Sequence, residues 1–166
     1  GRSPSKLGLR RGEKISVDEA IKALVTKSAN DVATVLAEAL GGTERKFAVM
    51  MTRRARALGM KNTTFKNASG LPNRGRLSTA EDMAILARAV LYQHADMYHH
   101  FSRQTFKYKG RTYRSHNRLM KLYKGMDGIK TGYIRASGFN LVASAKRGVI
   151  CADWSASAMR YQLDRK

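Results

Sequence analysis

Residues Met126-Asp127-Gly128-Ile129-Lys130-Thr131-Gly132-Tyr133 place a cation, a hydroxyl and a residue without a side chain next to one another. In an extended strand Lys130 and Gly132 share one face and Thr131 takes the other, unless a bulge intervenes. Gly132 lets a substrate backbone lie against the strand, and Lys130 would hold an anion or lower the pKa of a nearby hydroxyl. The tripeptide alone has about a one-in-fifty chance of occurring in a chain of this length, so other motifs must support it.

Length and composition predict one globular domain over residues 1–166. Hydrophobic residues make up 43% of the chain and the mean hydropathy is −0.45. Because no apolar run reaches the roughly 18 residues that a membrane span requires, we expect no transmembrane segment. No signal peptide is visible either, and the opening Gly1-Arg2-Ser3-Pro4 resembles the middle of a longer sequence.

The high net charge of the chain suggests a second class of binding partner, the polyanions. The chain carries 32 Lys and Arg against 12 Asp and Glu, a net charge of +20. Such a charge raises non-specific attraction to nucleic acid or another polyanion, although a solvated basic surface is the simpler explanation. No nucleic-acid-binding module organises the scattered basic residues. A single cysteine, Cys151, excludes an internal disulfide.

The first part of the chain, residues 1–100, is predicted to be mostly helical. Ser16 and Glu19 have the spacing of a capping box before an amphipathic helix. A second helix is expected to end at Gly41-Gly42, a third spans about residues 43–58, and Ser78-Thr79-Ala80-Glu81 precedes a fourth. Ser28 and Asn30 therefore lie at a junction between two helices, where a side chain can be aimed rigidly.

The second part, residues 101–152, changes to a period of two. Phe106 and Tyr108 alternate with lysines, Gly110 turns, and residues 112–114 return as a hairpin. Further strands are expected around Lys130, over residues 139–145 and over residues 149–152, and the tail 153–166 shows no pattern. Helices followed by strands predict an α+β fold in which helices pack on an antiparallel sheet.

The Ser-x-Asn sequences and the histidines are weak signals when each is taken alone. Ser28-Ala29-Asn30 supplies a hydroxyl and an amide, but both residue types are also favoured helix N-caps. Ser115-His116-Asn117 repeats the spacing and shows how loose it is. Among the four histidines, His94 and His99 are five residues apart, which does not place two metal ligands on one helical face, so no metal site is predicted.

Several motifs in one order resemble a known family. They are Ser28-Ala29-Asn30-Asp31 after an amphipathic helix, Asn67-Ala68-Ser69-Gly70-Leu71-Pro72, Asn117 before a turn, residues 127–133 and residues 137–144. Together they closely resemble the D-alanyl-D-alanine carboxypeptidases, the low-molecular-mass penicillin-binding proteins, over about residues 3–148. The resemblance implies a penicillin-binding-protein or serine β-lactamase fold, incomplete at both ends.

The resemblance also implies roles. Ser28 would shuttle a proton to the leaving group, Asn30 would hold the substrate amide, and Lys130 would help to bind the substrate's terminal carboxylate. Thr131 and Gly132 would line the strand against which a peptidoglycan peptide or β-lactam lies. The family needs no metal or organic cofactor, and its location is the periplasm or cell envelope.

One departure from the family concerns the nucleophile. The family's serine and lysine come from a helical Ser-x-x-Lys element, and the only such pattern here is Ser3-Pro4-Ser5-Lys6. Gly8 and Gly12 prevent a stable helix there, which disfavours Ser3 as nucleophile and Lys6 as its base. The resemblance is also lost after Gly148. We therefore expect an internal part of the catalytic domain that is weak or inactive alone, with exposed apolar surface that favours oligomerisation.

Two alternative functions stay open. One is an esterase or β-lactamase with a reassigned nucleophile, Ser28 or Ser3. The other is a non-catalytic basic protein that binds an anionic cell-wall polymer or nucleic acid.

Overall fold

The computed structural model describes residues 5–146. Ser3, the strand predicted over residues 149–152 and the tail 153–166 lie outside the described residues. Within them the chain forms helices first and strands later, and helices and antiparallel strands pack together as an α+β fold, as the sequence predicts.

Four long helices make up most of the first part. They are α1 (Val17–Lys27), α2 (Asn30–Gly41), α3 (Glu44–Ala57) and α4 (Ala80–Gln93). The capping box predicted for α1 is present, because the Ser16 side chain accepts from Glu19 N and the Glu19 carboxylate accepts from Ser16 N, each at 3.2 Å. The N-cap of α4 is Thr79, which accepts from Asp82 N at 3.1 Å. Ser78 instead hydrogen bonds Thr63 at 2.9 Å.

Short elements connect the helices to the strands. They are α5 (Ala95–Tyr98), a 3-10 helix (His99–Ser102) and α6 (Leu119–Leu122). The predicted hairpin consists of β1 (Thr105–Tyr108) and β2 (Arg111–Arg114), and its apolar residues Phe106 and Tyr108 are buried.

The second strand pair carries the Lys-Thr-Gly sequence. β3 (Met126–Ile134) pairs antiparallel with β4 (Gly138–Ala145), with Lys130 opposite Val142 and a register shift between Met126 and Gly128. Among residues 5–146 the strands form two separate two-stranded sheets. The predicted packing of helices on antiparallel strands is confirmed, and the β1–β2 hairpin packs against α1 instead of pairing with β3.

Two apolar clusters form the core, one for each sheet. The first lies between α1, α2 and the β1–β2 hairpin, and its fully buried members are Ala20, Ala23, Ala29 and Val32. The second joins Ala87 of α4, Tyr98 of α5 and Ile129 of β3. The junction between α1 and α2 belongs to the first cluster and β3 to the second, so the candidate site lies where the two meet.

Candidate active site

Ser28 has an unusual backbone conformation. It is the C-cap of α1 and adopts φ 55° and ψ 47°, the left-handed region that L-residues other than glycine seldom occupy. The N-cap of α2 is Ala29, and no side chain caps that helix. The N-capping that the sequence offers for the Ser28 and Asn30 side chains is therefore not observed, and the Ser28 hydroxyl makes its contact elsewhere.

Asp31 fixes the junction to the preceding segment. Its carboxylate accepts from the backbone N–H groups of Leu7, Gly8 and Leu9 at 2.7–3.0 Å. Burial opposes ionisation of this carboxyl, but the N–H donors outweigh burial and hold the pKa of Asp31 below its usual range. Asn30 N donates to Ser5 O at 2.8 Å, so residues 5–9 lie against the start of α2.

Lys130 connects β3 to the helix junction. Its ammonium donates to Ser28 Oγ, across 102 positions of sequence, and to Thr131 O at 2.8 Å. Burial disfavours the charged form and lowers the pKa of Lys130 to about 8. Both hydrogen-bond acceptors are neutral, so the ammonium has no carboxylate partner among residues 5–146. A partly desolvated cation without a counter-ion is suited to receive an anionic group.

His116 and Asn117 follow β2 beside the lysine. Partial burial, followed by the charges of Lys27 and Lys130, holds the pKa of His116 below its usual range. Asn117 is buried, and its amide donates to Gly128 O at 3.4 Å while its Oδ1 accepts from Leu119 N at 3.2 Å. The second Ser-x-Asn sequence thus supports β3 and the start of α6.

Thr131 and Gly132 lie on an accessible part of β3. They pair with Leu141 and Asn140 of β4, and within residues 5–146 no strand pairs with the other edge of β3. A Cβ on Gly132 would have only Asn140 Cβ within 4 Å, at 3.9 Å. An extended ligand therefore has room to approach this edge.

A polar cleft of about 400 Å³ lies beside Asn30. Its walls come from α2, from the start of α3 and from the turn-rich loop after α3, and they include Lys6, Asp31, Glu44, Asn67, Ser69 and Asn73. Lys6 lies in the irregular segment before α1 and not on a helix. The structure thus brings Ser28 and Lys130 into contact and leaves Asn30 on the same junction.

The residues that hold the helix junction and β3 in place were not predicted from the sequence. Asp31 appeared only as part of a motif, and Tyr98 and Ser144, whose hydroxyls meet behind β3, were not singled out. Among residues 5–146 no group of three or more His, Cys, Asp or Glu side chains could hold a metal ion. In the same residues no helix has the length and apolarity to cross a membrane.

Comparison with known proteins decides the family. The family model described as D-alanyl-D-alanine carboxypeptidase matches residues 1–152. The chain belongs to this family. Among similar proteins, the D-alanyl-D-alanine carboxypeptidase DacF of Bacillus subtilis is 38% identical over 149 residues, covering 87% of this chain and 38% of DacF. DacD of Escherichia coli is 35% identical over 145 residues, covering 87% of this chain and 37% of DacD.

Solved structures share the fold. Penicillin-binding protein 6B from Escherichia coli superposes with a TM-score of 0.82 at 35% identity, over 87% of this chain and 46% of that one. Penicillin-binding protein D2 from Listeria monocytogenes, in its ampicillin-bound form, gives 0.78 at 33% identity, over 89% and 62%. The penicillin-binding-protein fold is thus confirmed, and this chain spans under two fifths of the curated carboxypeptidases quoted above.

Proposed function

We propose that this chain carries part of the active site of a serine D-Ala-D-Ala carboxypeptidase that acts on peptidoglycan peptides in the cell envelope and binds β-lactams. The observation that carries the proposal is the hydrogen bond from Lys130 to Ser28. It joins the Lys-Thr-Gly strand to the Ser-x-Asn junction, two motifs that the family arranges around one substrate. Family membership supports the reaction class.

Each residue has a role that its surroundings suit. Lys130, desolvated and hydrogen bonded to neutral acceptors, would bind the substrate's terminal carboxylate. The peptide would lie along the free edge of β3 at Thr131 and Gly132, with its amide held by Asn30. When the C–N bond to the leaving D-Ala breaks, the Ser28 hydroxyl would pass a proton to the departing amine and regain one from the nucleophile.

We further propose that the chain alone is weak or inactive as a carboxypeptidase. Its only Ser-x-x-Lys sequence is Ser3 to Lys6, and Lys6 lies in a segment without helical structure. A serine and lysine must share a helical face if the amine is to take the hydroxyl proton. Purified protein should therefore remain almost unlabelled by a fluorescent penicillin when its intact mass is measured, with penicillin-binding protein 6B as positive control. A stoichiometric covalent adduct would contradict this proposal.

A second candidate is an esterase or β-lactamase with Ser28 as nucleophile. The contact between its hydroxyl and Lys130, whose pKa is near 8, favours it, since the neutral amine could accept the serine proton. A fluorophosphonate probe followed by peptide mass spectrometry would place a label on Ser28 in this case, and Ser28→Ala would abolish it. The absence of any labelled serine, Ser3 included, removes this candidate.

A further inference from the structure

Ser5 hydrogen bonds to both sides of the junction that carries Ser28. Its hydroxyl donates to Lys27 O, in the last residue of α1, at 2.7 Å. Its carbonyl accepts from Asn30 N, in the first residue of α2, at 2.8 Å. Ser5 therefore spans the two residues between the helices, Ser28 and Ala29, with one bond on each side.

The two bonds satisfy polar groups that helix ends leave open. The last carbonyls of a helix and its first N–H groups lack partners within the helix. Lys27 O is such a carbonyl and Asn30 N is such a donor. The N-cap of α2 is Ala29, which offers no side-chain acceptor. Ser5 thus caps the end of α1 through its hydroxyl and the start of α2 through its carbonyl.

The segment that follows Ser5 is anchored to α2. The Asp31 carboxylate accepts from the backbone N–H groups of residues 7–9 at 2.7–3.0 Å. The Leu7 side chain is 8% exposed and belongs to the apolar cluster between α1, α2 and the β1–β2 hairpin. Because this anchor lies only two residues away, Ser5 makes its two bonds from a fixed position.

The conformation of Ser28 shows why the junction needs support from outside the helices. A helix that ends on a left-handed residue usually has glycine there, because a Cβ disfavours that region of backbone angles. Ser28 adopts φ 55° nevertheless, and its own N–H donates back into α1, to Leu24 O at 3.1 Å. That bond does not reach the start of α2, whereas Ser5 joins the two helices across the turn.

We propose that Ser5 is a positioning residue for Ser28: its bonds to Lys27 O and Asn30 N hold the turn in the conformation in which the Ser28 hydroxyl meets Lys130. Loss of the Ser5 hydroxyl leaves the end of α1 free to rotate Ser28 toward ordinary helical angles, which turns its hydroxyl away from the lysine. The catalytic consequence rests on the proposed function, which gives Ser28 and Lys130 their roles, but the contact between them does not.

NMR of the whole chain tests the proposal through this contact. In the unaltered protein we expect a nuclear Overhauser effect between the Hβ protons of Ser28 and the Hε protons of Lys130, since Oγ and Nζ are hydrogen bonded. Ser5→Ala should lose most of this effect, and Ser5→Thr, which keeps a hydroxyl, should retain it. Amide hydrogen exchange at residues 28–30 should accelerate roughly 2- to 12-fold in Ser5→Ala, as expected for the loss of one net hydrogen bond.

Ser102→Ala is a matched control. Ser102 Oγ donates to His99 O at 2.8 Å, a bond of the same kind and similar length in the 3-10 helix. Its loss should leave both the Overhauser effect and the exchange at residues 28–30 unchanged. Ser5→Cys, whose thiol is a weak donor, replaces Ser5→Ala if that variant does not fold.

An undiminished Overhauser effect in Ser5→Ala overturns the proposal. Amide exchange that accelerates as much in α4 as at residues 28–30 also overturns it, because Ser5 would then support only the global stability of the fold. Neither measurement needs a substrate. Failure to bind a D-Ala-D-Ala peptide would therefore count against the proposed function alone.

Discussion

At the scale of single residues, Ser28 carries the most unusual conformation in the site. Left-handed backbone costs an L-residue roughly 1–2 kcal/mol relative to its usual regions. The fold retains it at the point where the hydroxyl meets Lys130. Such outliers cluster at functional sites, because the surrounding structure must over-determine them. Here α1, α2 and the bonds from residues 5–9 to Asp31 supply that constraint.

Paired substitutions of Ser28 measure this strain. Ser28→Ala and Ser28→Gly both remove the hydroxyl that accepts from Lys130, but only glycine is at ease with φ 55°. We expect the glycine variant to have a free energy of unfolding about 1 kcal/mol higher than the alanine variant. Urea denaturation of the two proteins gives the difference directly, and equal stabilities would show that the conformation at position 28 is not strained.

At the scale of elements, β3 has two parts with different tasks. Its start is packed, with Gly128 against Tyr98 and Ser144. Its end is open, with Gly132 exposed on an edge that no strand within residues 5–146 covers. Lys130 lies between the two parts, and its ammonium donates to Ser28 Oγ and to Thr131 O.

Two glycine-to-alanine substitutions distinguish these parts. Gly128→Ala forces at least one buried neighbour to move, so we expect a loss of about 1–3 kcal/mol in the free energy of unfolding. Gly132→Ala meets only Asn140 Cβ at 3.9 Å and should change stability little, while hindering the approach of a ligand backbone. Thermal unfolding measures both. Similar losses in the two variants would contradict the division of β3 into a packed start and an open end.

The sequence showed the motifs that form the site, but it did not show the residues that pack behind them. Ser28, Asn30 and Lys130 stand in short motifs whose order along the chain is informative. Tyr98 and Ser144 are common residue types 46 positions apart with no local pattern, and their contact depends on how α5 and β4 pack. The left-handed Ser28 also escaped prediction, because local preferences favour glycine there and the tertiary contacts that select serine are distant in sequence.

At the scale of the whole molecule, two sheets and two apolar clusters place the site at their meeting point. The sequence predicted the order of helices and strands but not this separation of the sheets, since strand partners depend on contacts far apart in the chain. Oligomerisation and polyanion binding stay predictions. The prediction of polyanion binding rests on the net charge of +20. The prediction of oligomerisation rests on exposed apolar side chains such as Leu40 and Val49.

Binding to DNA should be sensitive to salt. The basic residues are scattered along the chain and do not form a recognisable nucleic-acid module. Attraction from dispersed cations weakens steeply with ionic strength, because the release of counterions from the phosphates on binding gains less free energy at higher salt. A gel shift seen at about 50 mM salt should therefore be lost by about 200 mM. A complex that persists at the higher concentration would instead favour a nucleic-acid-binding function.

We propose that Ser28, Asn30 and Lys130 form one site for a peptide that ends in D-Ala-D-Ala. Its most direct test is an NMR titration of the chain with an N-acylated D-Ala-D-Ala peptide. We expect chemical-shift changes at Ser28, Asn30 and residues 130–132 that disappear in Lys130→Met and persist in Lys121→Met, a change at an exposed lysine. They should weaken when the peptide's terminal carboxylate is amidated. Shifts absent from these residues, or unaltered by Lys130→Met, would contradict it.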